Sequence, residues 1–272
     1  LTPIELTTAD MALAALSLLI ASGLSVALSL NVHRALFVAA LRMIAQLVVV
    51  GLALRYVFAL SSPVVTLLVA GLMILAAIWE VASRQRFHLR GWYHFGLGGL
   101  PVTIATVLVS ALALSTALRE AEWLDAQHTI PLVGIILGTV MNSTSLALNT
   151  MLTSVQRERR AIEARLSLGA GGKLALREVR ISAAHNGLIP VVNQMAGAGI
   201  ITLPGIMTGQ ILAGMDPLDA AKYQILLMLL LAGAGALGVI GAIELCLATI
   251  MDKRDRLRLD RLEAARGKSS GP

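Results

Sequence analysis

The 272 residues include a single cysteine, Cys246, and only 14% charged and 4% aromatic side chains. One cysteine excludes a disulfide framework within the chain. Its place in an apolar run makes it a small packing residue rather than a reactive thiol. A soluble domain carries about 25% charged residues. The shortfall here runs along nearly the whole length and excludes a soluble enzyme. With so few aromatics, the apolar 57% is mostly Leu, Ala, Val and Ile, which suits lipid-facing helices. Glu5 and Asp10, not a basic segment, precede the first apolar run, so it does not read as a secretory signal. No low-complexity tract or internal repeat is visible, and no pair of matching interrupted segments points to a repeat-built secondary transporter.

What is present is a series of long apolar runs. A helix needs about 20 apolar residues to cross the hydrocarbon. Spans are expected near 11–30, 36–54, 64–82, 95–117, 130–151, 182–200 and 223–250. In lipid each segment must satisfy its own backbone hydrogen bonds, so the expectation is an all-α, polytopic helical bundle of about seven spans. The domain reading is one transmembrane unit, 1–252, followed by a basic tail, 253–272, whose end from Gly267 reads as disordered.

Charge sets the expected orientation. Arg84, Arg86 and Arg90 occupy the stretch 83–94. Seven basic residues from Arg157 to Arg180 occupy 153–181, and seven from Lys253 to Lys268 occupy the tail. The other side leans acidic, with Glu120, Glu122, Asp125, Asp216 and Asp219. The positive-inside rule then places the N-terminus outside and the C-terminus in the cytoplasm. The net charge of +6 is thus topology, not a nucleic-acid surface.

The stretch 201–222 is apolar but broken by Pro204, Gly205, Gly209 and Gly214, then turned by Asp216-Pro217. It reads either as a re-entrant gate segment or as a loop on the outer surface, since irregular backbone at membrane depth must be covered by protein or line a cavity.

The 153–181 stretch carries the most informative pattern. A helix through Glu163, Ala164 and Arg165 reaches Leu168, where Gly169-Ala170 ends it. A second short helix from Lys173 leads into the sixth span. The result is a compact knob between two spans. The pattern E-A-x-x-x-x-G, with Ile189-Pro190 downstream, resembles the coupling loop by which ABC-transporter permeases contact their ATPase. The alternative is an ordinary capped loop helix. The chain itself offers no nucleotide site: Gly172-Lys173 is followed by Leu174 where a P-loop needs Ser or Thr.

Polar residues inside spans are functional candidates. Arg42 and Gln46 lie one turn apart in the second span. Asn142 and Asn149 lie in the fifth, and Asn193 and Gln194 in the sixth. These six are the candidate transport path. Interhelical hydrogen bonding is the other role open to the amides, and Arg42 could pair with Glu80. No His/Cys/Asp/Glu cluster has metal-site spacing, and no nucleophile constellation suggests an intramembrane hydrolase.

Several strings are distinctive: Leu203-Pro204-Gly205-Ile206-Met207-Thr208-Gly209, Ala213-Gly214-Met215-Asp216-Pro217, and Ala221-Lys222-Tyr223-Gln224-Ile225. With Ser167 to Ala170, Arg42, Gln46-Leu47, Gly51, Gly138, Met141 and Asn142, they resemble the FetB-type permease family of iron-export ABC transporters. The resemblance covers nearly the whole chain. It implies a permease half-transporter that dimerises and works with two copies of a separate ATPase. ATP and Mg would then bind the partner, with no cofactor on this chain. It also implies iron or another metal as exported cargo and an inner-membrane location. A nucleotide sugar or other small solute is the alternative cargo, and an ion-coupled secondary transporter or channel using Arg42 and Glu80 is the alternative function.

Overall fold

In the computed structural model the described residues are 7–60, 62–89, 91, 93–117, 125–252 and 254–264. Expectations about Glu5, Arg90, Glu120, Glu122, Lys253 and the end of the tail fall outside them. The chain is a polytopic helical bundle, and its contacts divide it into two units, Leu1–Ser61 and Ser62–Pro272.

The first unit is a helical hairpin of α1 (Thr8–Ala27) and α2 (His33–Leu60). Thr7 and Asp10 form a reciprocal capping box that starts α1. At its other end Ser29 takes a left-handed conformation, and buried Ser25 accepts the amides of Val32 and His33 at 3.1 Å each. One hydroxyl thereby closes the hairpin. No residue of α2 is buried, including Arg42 and Gln46.

The second unit contains α3 (Pro63–Arg84), strand β1 (Phe87–Leu89), α4 (Tyr93–Ala117), α5 (Ala126–Arg157), α6 (Arg159–Ser167), α7 (Gly172–Ala175), α8 (Arg177–Gly197), α9 (Gly205–Leu212), α10 (Pro217–Ile250) and strand β2 (Leu262–Ala264). Its centre is α5, which packs against α3, α4, α8 and α10. The buried face of α5 includes Ile136, Val140, Ala147, Leu148, Met151 and Val155. Close approach of α8 depends on Gly187. A Cβ there would lie 2.7 Å from Ala147 Cβ and 2.9 Å from the Ser143 carbonyl oxygen, which no rotamer change relieves.

Among the described residues, six helices are long and apolar enough to cross a membrane: α1, α2, α3, α4, α5 and α10. The other expected span is α8, long enough at 21 residues but charged at Arg177, Glu178 and Arg180 in its first turns. Most helices outrun the apolar windows because backbone hydrogen bonding does not stop where the apolar residues stop. Asp216-Pro217, expected as a turn, opens α10: Asp216 Oδ1 accepts the amides of Leu218 and Asp219, and Pro217 fills the first helical position. The all-α expectation gains one exception, an antiparallel ribbon pairing β1 with β2.

Candidate functional site

The knob between α5 and α8 forms because three helix ends fall within 20 residues. Glu158 ends α5 and begins α6. α6 has one strongly apolar stripe, with Ile162 fully buried and Leu166 packed against the same core. It ends in a Schellman motif. The Gly169 amide donates to Leu166 O at 3.0 Å and the Ala170 amide to Arg165 O at 3.1 Å. Gly169 sits at φ +88, where a Cβ would be strained.

This turn leaves Leu168 at the tip, 89% exposed. Burying a leucine is worth about 1.5–3 kcal/mol, and at this tip that energy is unused. Arg165 stiffens the knob from inside: Nη1 donates to Ala175 O at 3.2 Å and Nη2 to Glu178 Oε2 at 2.7 Å. Glu163 accepts from Arg159 Nε at 2.8 Å, and Ser167 Oγ donates to Glu163 O. Ala164 is exposed beside them. Arg157, Arg159, Arg160 and Glu163 line an adjoining hollow of about 830 Å³. Of the six knob residues expected from the sequence, Glu163, Ala164 and Arg165 lie on α6 and Leu168, Gly169 and Ala170 in the turn that follows it.

The expected path residues fall into separate settings. Asn142 Oδ1 accepts from Arg84 Nη1 at 2.9 Å, and Asn149 Oδ1 accepts the Arg86 amide at 3.1 Å. Both tie α5 to the end of α3. Between them Gln85 is buried, its Nε2 donating to Val81 O and Ser145 O. Asn193 and Gln194 are exposed near the end of α8. Arg42 and Gln46 belong to the first unit. Pro204 caps α9, Gly205 opens it and Gly209 lies on it with open space around it. Gly214, at φ +95, ends it ahead of Asp216 and Pro217.

Sequence reasoning missed Gln85, which lies at the boundary of a span, and Asp255, whose carboxylate accepts the Gly172 amide at 3.0 Å from 83 residues away. No local signal marks either. Among the described residues no group of three or more His, Cys, Asp or Glu is placed to hold a metal ion.

The family model described as "Uncharacterised protein family (UPF0014)" matches residues 8–251. The UPF0014 membrane protein slr1647 of Synechocystis is 41% identical over 211 residues, 78% of this chain and 81% of the relative. The Escherichia coli protein named "Probable iron export permease protein FetB" is 30% identical over 225 residues, 82% of this chain and 83% of its own. The rice UPF0014 membrane protein STAR2 is 33% identical over 202 residues, 74% and 68% of the two chains. No solved structure matches the chain.

Proposed function

The chain belongs to the UPF0014 family of membrane proteins, and on that premise we propose that it is the permease subunit of an ABC half-transporter. It acts as a homodimer with two copies of a separate ATPase, in the cytoplasmic membrane, N-terminus outside. ATP and Mg bind the partner. The observation that carries this reading is the braced knob with Leu168 at its tip. A stiff protrusion linking α5 to α8, two helices packed against each other and against α10, can pass a push into the bundle. The cargo is iron, moved outward, in keeping with the name of the Escherichia coli relative. Asn193 and Gln194, exposed near the end of α8, are path candidates beside Arg42 and Gln46 of α2, and the 201–222 segment is the candidate gate.

The test is co-purification of the full chain with an ATPase encoded beside it, followed by ATP turnover in lipid nanodiscs. Leu168→Asp and Gly169→Trp are expected to weaken association about tenfold or more, the loss of one buried leucine contact. Ferrous iron accumulation in inverted vesicles with and without ATP reads the cargo. Failure of any ATPase to bind the wild-type chain, with iron moving in the absence of ATP, would replace this reading by ion-coupled transport.

A further inference from the structure

The segment after α10 folds back on the bundle. Met251 bridges antiparallel to Leu257, and the Arg258 amide donates to Ile250 O at 2.8 Å. The Asp252 carboxylate collects the amides of Arg254 and Arg256 at 2.8 and 2.9 Å. This turn holds Asp255 at φ 53, a left-handed conformation that Asp tolerates better than most residues. Its Oδ1 then meets the Gly172 amide in the first turn of α7. A Cβ at position 172 would lie 2.6 Å from Met251 Cε and 2.9 Å from Asp255 Oδ1, so both side chains would have to shift to admit it.

Further along, Arg261 Nη1 donates to Thr249 O at 2.8 Å. Leu257, Leu259 and Leu262 pack against the core. β2 pairs with β1 in the register Phe87↔Ala264, His88↔Glu263 and Leu89↔Leu262. One strap therefore touches the knob, the end of α10 and the turn between α3 and α4.

We propose that residues 251, 252 and 254–264 are a strut that makes these three parts move as one body, with Asp255 the positioning residue that fixes the strut to the knob. The Asp255 oxygen supplies the acceptor for the Gly172 amide, and the close approach of Asp255 and Met251 to position 172 fixes its register. The functional consequence rests on the reading of the knob as the ATPase contact. A push there reaches α10, α3 and α4 through the strut as well as through α5 and α8.

The experiment uses the full chain in nanodiscs with no ATPase present. Cys246 is buried, so cysteines introduced at the exposed Arg160 and Arg86 can be spin-labelled selectively. Asp255→Gly keeps the backbone conformation and removes the acceptor. Asp255→Asn keeps an oxygen acceptor and the left-handed preference. Gly172→Ala displaces the Asp255 and Met251 side chains from the knob.

The distance distribution between labels should be narrow in the parent and in Asp255→Asn, and broad in Asp255→Gly and Gly172→Ala. Hydrogen exchange of the 171–176 peptide should quicken about tenfold in Asp255→Gly. Distributions and exchange unchanged in both disruptive variants would overturn the strut, as would Asp255→Asn behaving like Asp255→Gly. Neither result depends on whether an ATPase binds, so failure of the strut and failure of the coupling reading are distinguishable.

Discussion

Arg180 of α8 and Glu244 of α10 form an ion pair between neighbouring helices, 64 residues apart in the chain. Arg180 is only 27% exposed, and its Nε is buried without a hydrogen-bond acceptor. Glu244 therefore supplies the compensation that the guanidinium needs. Glu244 lies six residues before the end of α10, about 9 Å along the axis. Glu244→Gln is expected to lower stability by about 1–3 kcal/mol, between the values for surface and buried pairs. The swap Arg180→Glu with Glu244→Arg should recover part of it. Thermal unfolding in one detergent checks both.

Four of the five amides expected along the path separate under mutation. Asn149→Ala removes the acceptor of the Arg86 amide, and Asn142→Ala removes one acceptor of Arg84 while Glu80 remains as the other, so each should cost up to about 1 kcal/mol of stability. Asn193→Ala and Gln194→Ala alter exposed side chains and should leave the melting temperature unchanged. Loss of transport in the second pair without a stability change would mark the path. Unchanged transport in both would remove them from it.

Gly187→Ala should be among the most damaging small substitutions in the bundle. The new methyl meets backbone and a neighbouring Cβ rather than a flexible side chain. Overpacking of this kind costs about 1–3 kcal/mol. By contrast Gly209→Ala meets open space within α9 and should be neutral or slightly stabilising. Melting curves of the two variants provide the comparison.

The strap should loosen in acid. Two hydrogen bonds from the Arg258 guanidinium hold the Asp260 carboxyl down at about 2, and chiefly the Arg256 amide lowers that of Asp252. Both pKa values lie below the ordinary value of 3.8. Their contribution to the folded strap is therefore complete above about pH 4 and lost as pH falls toward about 2. The protection of the described amides of this strap, taken as hydrogen exchange relative to the intrinsic rate at each pH, should be lower at pH 2 than at pH 5. Loosening on going from pH 5 to pH 8 would contradict this assignment.

The membrane-crossing helices were legible because apolar length is a local property, and so was the knob, because glycine after a short amphipathic helix is a local stop. Asp216-Pro217 misled for the same reason: the pair serves a turn or a helix start, and only the carboxylate's contact with the Leu218 and Asp219 amides decides between them. Asn142 and Asn149 were recognisable as polar groups in a span, but their partners at Arg84 and Arg86 lie 58 and 63 residues away. The pairing of β1 with β2 is more distant still, and three-residue strands carry no periodicity to announce it.

The 32 residues of α5 amount to a rod about 48 Å long, against a hydrocarbon thickness of about 30 Å. The knob hangs from the end of that rod. A rotation of α5 by about 10° about its far end would sweep the attachment point through about 8 Å. The helix therefore has the mechanical advantage of a lever. A displacement of the knob by one helical turn asks only a small tilt of the packed core, and a small rearrangement of that core is amplified at the surface where a partner would feel it.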